Sequence, residues 1–527
     1  MSENLPNVAR AGGIMMLSLF LSRVLGIVRD TVMVAQFGQG AQTDAYVLAF
    51  LVPDLIFFLI AGGALSSAFI PVFSEFIHTD REDDAWKLFS VVVTLMSLLV
   101  AVFILVAWIF AEPLTRLLAG AKGEGLIPLI AHMSRIVLPA QYAFLIGGIL
   151  FGTLYSRQRF AAPGLGPNVY NLGIIFGALV LSTLFDPGIL GMAWGALLGA
   201  FIGNLAIPLL AMRAIQPRFQ PSLDLSHPGV KKVLKLMLPV VLGLSLPGVY
   251  ALIMHVFGTV YGMGINTALN LSNKLMQAPL GIFGQSLAIA AFPALSQFFA
   301  QQRMDLYRQQ LSSTLRTVLY ITLPISALMI ALAPEVVALA FEYGKATASD
   351  TAATARCLQM FGIGIAAWCL HPVLMRGFFA MQQTVTPIVL GTGCTVLFVV
   401  LVLVLRQTPL TYASLPLASS LSAIVLVLVL LAAVSKQAGG IDLAGLSTTF
   451  AKAGLAAAAM GLALWMGTLV MPQAEGLGRN ARALVLVGGL GLAGAWLYYG
   501  LTRLMRMPET QTIDRALARL SRRRSAD

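Results

Sequence analysis

Apolar residues run along this chain in blocks long enough to cross a bilayer, separated by short clusters of glycine, proline and charge. A helix needs about 20 apolar residues to span the hydrocarbon core. Read on that scale, the blocks predict fourteen helices, roughly at 9–36, 44–76, 88–111, 127–155, 163–185, 189–212, 233–260, 265–299, 313–333, 352–378, 386–405, 410–435, 449–471 and 481–504. The second and eighth are long enough to tilt or protrude. The pattern is that of an all-α polytopic membrane protein.

Composition narrows the class further. Of 527 residues, 58% are hydrophobic and only 11% charged, where a soluble domain carries about 25%. So little charge excludes a cytosolic multidomain enzyme, a secreted protein and a disordered chain. The three cysteines, Cys357, Cys369 and Cys394, lie in apolar stretches without a CxxC partner, and the five histidines lack zinc spacing. No disulfide framework, metal site or cofactor is therefore expected. No nucleophile elbow, Walker A or EF-hand pattern occurs, and no catalytic residue is expected. Gly489, Gly491 and Gly494 spell GxGxxG inside an apolar helix, which predicts helix packing rather than nucleotide binding. A cleaved signal is not expected, because the first apolar run continues past Arg23 and Arg29 without a small-x-small site.

The net charge of +12 is mostly a matter of sidedness. With the N-terminus in the cytoplasm and alternating spans, 23 of the 34 Lys and Arg residues fall at cytoplasmic segments and seven on the other side. That bias predicts both termini inside. It makes the basic surplus a topology signal, with no nucleic-acid partner implied. The tail, with Arg515, Arg519, Arg522, Arg523 and Arg524, is expected to lie on anionic lipid headgroups.

An internal repeat organises the spans. Residues 43–76 align without gaps with 265–298 at an offset of 222, pairing Pro71 with Pro293, Ser74 with Ser296 and Phe76 with Phe298. Arg81 then pairs with Arg303, and Gln158 and Pro163 pair with Gln382 and Pro387 at an offset of 224. Six helices separate the copies, so the repeat is parallel. The expected organisation is an N-lobe at 1–215, a C-lobe at 216–437, two extra helices at 438–507 and a basic cytoplasmic tail at 508–527. Two six-helix lobes predict a central cavity and alternating access, as in a secondary transporter.

Four basic residues stay unexplained by topology: Arg23, Arg29, Arg135 and Lys274. Arg23 and Arg29 sit about 120° apart on one helix. An arginine near the bilayer centre costs at least about 2.5–3.5 kcal/mol, so the pair is expected to face a hydrated cavity or acids. Asp30 is adjacent, and Asp44 and Asp54 enter with the second span. A structural Arg–Asp lock and an anion site both fit these residues. Lys274 lies ten residues into the eighth span and invites an inward role, whereas Arg135 and Arg376 suit snorkelling. The seventh to twelfth spans contain no Asp or Glu. Asp30, Asp44, Asp54 and Glu75 are thus the carboxylates available for coupling or ion pairing. A basic, amphipathic cavity suits a pyrophosphate or carboxylate head on an apolar tail. The stripe Gly195, Gly199 and Gly203 predicts close helix packing, and the prolines in the spans predict kinks.

Several blocks resemble a known family. Ser22-Arg23-Val24-Leu25-Gly26 with Arg29-Asp30, followed by Thr43-Asp44-Ala45, is similar to the first-helix signature of the MurJ/MviN lipid II flippases of the MOP exporter superfamily. The block Gly63 to Pro71, the segment Arg159 to Asn168, and Glu342-Tyr343-Gly344-Lys345 with Thr347 resemble further family blocks. The resemblance implies translocation of an undecaprenyl-pyrophosphate-linked peptidoglycan precursor across a bacterial inner membrane, by a monomer working beside membrane lipids and cell-wall synthesis proteins. It implies a transporter, not an enzyme. It carries Arg23, Arg29 and Asp44 into the substrate site, with Lys274 at the place of a family arginine. Where the family has a pair of arginines in the second span and a glutamate before Gly-Ala, this chain has Phe57, Phe58 and Gly62. Export of another lipid-linked glycan, a cation-coupled drug exporter of the same superfamily, and a non-transporting envelope scaffold are the alternatives.

Overall fold

The computed structural model describes residues 5–60, 64–119, 121–157, 159, 161–470 and 479–510. The tail at 511–527, Gly62 and the side chain of Phe58 lie outside the described residues. Every regular element among the described residues is helical. Ten helices are long and apolar enough to cross a membrane, or eleven when Ala348–Gly362 and Ile365–Ala380, bent by 48°, count as one broken span. These coincide with eleven of the fourteen expected spans. The expected spans at 9–36, 44–76 and 233–260 include residues, or side chains of residues, outside the described set and are not among the eleven.

The chain divides into two compact units, Met1–Thr267 with Tyr343–Thr347, and Ala268–Glu342 with Ala348–Asp527. The first contains α1 (Leu5–Phe37), α2 (Ala41–Ala49), α3 (Leu51–Ile60), α4 (Ala64–His78), α5 (Glu82–Ile109), α6 (Ala111–Ala119), α7 (Ile127–Val137), α8 (Ala140–Ser156), α9 (Ala161–Leu179), α10 (Leu190–Ala200), α11 (Ile207–Met212) and α12 (Pro228–Gly258). Its core is an apolar cluster around Phe69, Phe73, Trp86 and Phe89, with α8 side chains such as Leu150 closing it. α9 packs against α10 at very short range. A Cβ at Gly199 would lie 2.8 Å from the Tyr170 carbonyl oxygen, and one at Gly203 2.6 Å from that of Gly166. Cβ atoms at Gly177 or Gly195 would collide with the Gly191 and Gly173 carbonyls. The glycine stripe is therefore helix packing, as its spacing predicts.

The second unit holds α13 (Ile265–Pro279, from Ala268 onward), α14 (Ser286–Ala300), α15 (Met304–Ala331), α16 (Ala333–Phe341), α17 (Ala348–Gly362), α18 (Ile365–Ala380), α19 (Val385–Leu405), α20 (Ser414–Ala438), α21 (Leu443–Val470), α22 (Arg479–Val485) and α23 (Gly491–Leu504). α15 packs along α21 and α18, and α21 along α23. Gly494 abuts Leu464 and Met460 across that last seam, while a Cβ at Gly489 would meet nothing within 4 Å. After Pro279 the chain makes a π-turn, Leu280–Gln285, before α14. Proline removes a backbone donor, and a wide turn absorbs the missing bond.

The duplication is written in the helix boundaries. At an offset of 222, α5 maps onto α15 end for end, the last residue of α4 onto that of α14 and the first residue of α6 onto that of α16. α10 starts 224 residues before α20. The connecting turn repeats as well. Asp80 has φ +57° and Gln302 φ +56°. Arg81 N–H donates to the Phe76 carbonyl at 3.0 Å, and Arg303 N–H to the Phe298 carbonyl at 2.9 Å.

Candidate functional site

α1 and α9 meet along a line of polar side chains. On α1, Ser18, Ser22 and Arg29 fall four and seven residues apart, hence on one face. On α9, Asn168 and Asn171 are three apart. Asn168 Nδ2 donates to Ser18 Oγ at 2.7 Å, and Asn171 Nδ2 to the Ser22 carbonyl at 3.2 Å. Each asparagine also bonds back to its own helix, at the Gly164 and Pro167 carbonyls. At the end of the line Arg29 Nη1 donates to Asn171 Oδ1 at 3.1 Å, while Nε and Nη2 reach Asp30 Oδ1 at 3.0 and 2.9 Å. The side chain of Asp30 is 3% exposed and that of Arg29 18%. Buried charges persist when paired and hydrogen-bonded, and this triad meets both conditions.

Arg23 differs from Arg29 although it sits on the same helix. It is exposed, and among the described residues no hydrogen bond or ion pair is assigned to it. One span thus carries a tethered guanidinium and an untethered one.

Asp44 is buried in the first turn of α2, and its carboxylate accepts from another part of the first unit. Gly264 N–H donates to Oδ2 at 2.6 Å, Thr267 N–H to Oδ1 at 2.8 Å and Thr267 Oγ1 to Oδ1 at 2.7 Å. The donors are the unsatisfied groups at the start of α13, where a negative charge is also favoured by the helix dipole. Gln39 Nε2 donates to the Gly264 carbonyl at 2.9 Å. The turn before α2 therefore docks on the turn before α13. A third segment joins the same unit: Lys345 N–H donates to the Ala35 carbonyl at 2.8 Å, and Gly344, at φ +58°, lies against Ala35 where a Cβ would collide.

The remaining candidates are placed separately. Asp54 lies exposed in the first turn of α3. Glu75 pairs with Lys232 at 2.6 Å, both more than half exposed, which ties α4 to α12 at the surface. Lys274 is half-buried on α13 within the second unit, beside Asn273, which accepts from Gln277 Nε2 at 3.3 Å. Glu342 has Arg479 at 2.8 Å and Thr351 Oγ1 at 2.5 Å, linking the α16–α17 connection to α22. The structure brings Arg29, Asp30 and Asn171 together, and joins Asp44 to the α13 start. Sequence reasoning missed Ser18, Ser22, Asn168 and Asn171 as a group. Their i, i+3 and i, i+4 spacing within apolar spans was the available signal.

Comparison with known proteins adds to this geometry. A family model described as "Lipid II flippase MurJ" matches residues 33–479. The lipid II flippase MurJ of Burkholderia cenocepacia is 29% identical over 378 residues, 71% of this chain and 73% of that protein. The probable lipid II flippase MurJ of Bdellovibrio bacteriovorus is 27% identical over 526 residues, 98% of each. A solved structure described as lipid II flippase MurJ in an inward closed conformation superposes with a TM-score of 0.78 at 22% identity, over 93% of this chain and 98% of that one. An inward-facing multidrug-resistance MATE transporter of the MOP superfamily gives 0.66 at 15% identity, over 81% and 98%.

Proposed function

The chain belongs to the lipid II flippase MurJ family, and from that premise we propose that it is a lipid II flippase of the bacterial inner membrane. It moves an undecaprenyl-pyrophosphate-linked peptidoglycan precursor from the inner to the outer leaflet by alternating access of two six-helix lobes. It works as a monomer with both termini in the cytoplasm. The observation that carries the site assignment is the unequal arginine pair of α1. Arg29 is tethered to Asp30 and Asn171, and Arg23, six residues earlier, is exposed.

In this reading Arg23 and Lys274 engage the pyrophosphate. Arg29, fixed by its acid and amide, contributes field rather than a mobile clamp. Asp44 orients or switches the arginines, and its carboxylate also accepts from the start of α13. Asp30 is a permanent counter-ion, and Glu75 belongs to a surface pair. Phe57 and Phe58 stand where the family resemblance implies arginines, and in this reading Arg23 and Lys274 are the main contacts to the head group. A cation-coupled exporter would want membrane-embedded carboxylates, and positions 266, 276 and 297 of the second copy, which correspond to Asp44, Asp54 and Glu75, are Asn, Met and Gln.

The test is complementation of a strain depleted of its own lipid II flippase, scored by lipid II reaching the outer leaflet. Rescue by the wild-type chain, lost on Arg23→Ala and kept on Arg482→Ala, is the expected result. No rescue by well-expressed wild type overturns the substrate. Full rescue by both Arg23→Ala and Lys274→Ala removes the site assignment.

A further inference from the structure

The second unit contains a cavity of about 450 Å³ that the transport reading does not use. It is lined by Arg308, Gln309, Ser312, Ser313, Arg316 and Asp442, at the end of α15 nearest the Arg303 turn. Both arginines are held by part of their guanidinium groups. Arg308 donates Nε to the Met304 carbonyl at 3.0 Å and Nη1 to the Gly439 carbonyl at 2.9 Å. Arg316 donates Nε to Glu509 Oε1 at 2.9 Å and Nη1 to Asp442 Oδ2 at 3.2 Å. Among the described residues Nη2 of each has no assigned partner. Ser313 and Gln309 are exposed beside them. Asp442 does not oppose an anion strongly, since its oxygens are committed to Arg316 and to the Gly445 N–H at 2.7 Å.

The repeat supplies an internal control. Ser312 Oγ accepts from the Asp442 N–H at 3.2 Å, and 222 residues earlier Ser90 Oγ accepts from the Gln220 N–H at 3.1 Å. The backbone frame is the same. In the first copy, however, Trp86 stands in the place of Arg308, Phe89 in that of Leu311, Thr94 in that of Arg316 and Phe219 in that of Ile441. Trp86, Phe89 and Phe219 pack edge to face in a continuous chain. An open basic cavity is therefore not a requirement of this fold. In the first copy aromatic side chains stand at those positions instead.

A second feature gives the ligand its shape. Leu443 and Phe450 on α21 are 45% and 57% exposed. They are seven residues apart, hence on one helix face, and they start at the cavity's own Asp442. A pocket lined by two arginines and roomy enough for a phosphate-bearing head group thus adjoins an exposed apolar stripe.

We propose that this cavity binds the phosphate of an anionic phospholipid, with the head group between the Arg308 and Arg316 guanidinium edges and the acyl chains along the α21 face. Arginine favours phosphate because its planar fork can donate two bonds at once. Basic pockets at the cytoplasmic ends of membrane helices are suited to such head groups, and the Lys/Arg distribution assigns this end to the cytoplasm. Free phosphate shares the head-group chemistry but makes no use of the apolar stripe. The proposal is independent of which molecule the protein transports.

The test uses the full-length protein in nanodiscs of mixed phosphatidylcholine and phosphatidylglycerol, with retained lipid measured by native mass spectrometry. Wild type should retain phosphatidylglycerol over phosphatidylcholine. Arg308→Gln should lower that retention at least fivefold, and Arg81→Gln, in the corresponding turn of the first copy, should not. Ser313→Leu, an exposed change that fills the cavity without touching an ion pair, should act like Arg308→Gln even if the latter folds poorly. A parallel arm measures thermal stabilisation by inorganic phosphate in phosphatidylcholine-only discs. Stabilisation there, lost in Ser313→Leu and without phosphatidylglycerol retention, would retain the phosphate site but overturn the lipid as its source. Equal retention by wild type, Arg308→Gln and Ser313→Leu, with no phosphate effect, overturns the proposal.

Discussion

The two copies of the repeat share a backbone and do not share a charge pattern. α4, α5 and α6 recur as α14, α15 and α16 at one offset, down to the left-handed residue in the connecting turn. Yet at the same offset Asp44 becomes Asn266, Asp54 becomes Met276, Glu75 becomes Gln297, and Arg29-Asp30 becomes Ala251-Leu252. In the other direction Val52 becomes Lys274 and Trp86 becomes Arg308. Apolar packing and turn geometry are what a repeat must keep to fold twice. Charge is what it can redistribute. In the first copy Arg29 is bound to an adjacent acid, and at the offset positions the second copy has no acid, while it gains a lysine where the first has valine.

The largest expected effect comes from breaking the buried pair. Asp30→Ala leaves Arg29 charged and four-fifths buried without its acid, which should cost about 3–5 kcal/mol and abolish both stable folding and rescue. Importing the second copy's residues at both positions, Arg29→Ala with Asp30→Leu, should recover most of the thermal stability without recovering flipping. Denaturation in detergent alongside complementation separates the two. If the double variant is as unstable as Asp30→Ala, the pair is more than a self-contained lock.

Next comes the Asp44 contact. The imported residue is asparagine, which keeps the volume but offers one acceptor oxygen and no charge. Hydrogen bonds to a charged group are worth about 1.5–3 kcal/mol each, so Asp44→Asn should destabilise the α13 start by an amount of that order. The readout is hydrogen exchange at the Gly264 and Thr267 amides, which should speed at least tenfold. Unchanged protection there would mean that the cap is dispensable.

Lys274 tests the other copy. Lys274→Val, the first copy's residue, should lower flipping about tenfold or more, and Lys274→Arg should keep most of it, because a guanidinium retains the charge and adds the fork. An assay of lipid II accessibility in the outer leaflet reads both. Equal loss in the two variants would point to packing around Asn273 and Gln277 rather than to charge.

Much of this frame was legible in the residues, and the reasons for the remainder are physical. Apolar blocks located eleven spans one for one, and Pro71/Pro293 with Arg81/Arg303 set the repeat offset that the helix ends then matched. Breaks inside spans were harder. The run 44–76 reads as one helix but breaks at Phe50, between α2 and α3, and 127–155 divides at Leu138–Pro139. Hydropathy reports what a segment dissolves in, not where its i→i−4 ladder fails. Partners were harder still. Asp44 finds Gly264 and Thr267 more than 200 residues away, and Asn171 finds Arg29 across two helices. Periodicity gives the face a residue occupies and is silent about who stands opposite. Cavities between helices share that silence: Arg308 and Arg316 are, in the sequence, two of the 23 basic residues at cytoplasmic segments.

The smallest structural effect and the sharpest functional one should come from Arg23. It occupies the same apolar helix as Arg29 but is exposed, with no assigned tether among the described residues. A residue that stabilises nothing in the resting fold is costly to keep in a membrane span unless it meets a ligand. Arg23→Gln should therefore change the melting temperature by less than about 2 °C, as an exposed substitution does, while lowering flipping several-fold. Arg23→Lys distinguishes the two things an arginine supplies: near-full activity assigns the effect to charge, and a partial loss assigns the difference to bidentate contact. A drop in stability comparable to Asp30→Ala would instead make Arg23 a second structural lock. The contrast between a tethered and an untethered arginine on one helix would then be gone, and Lys274 would be left as the principal cation of the substrate site.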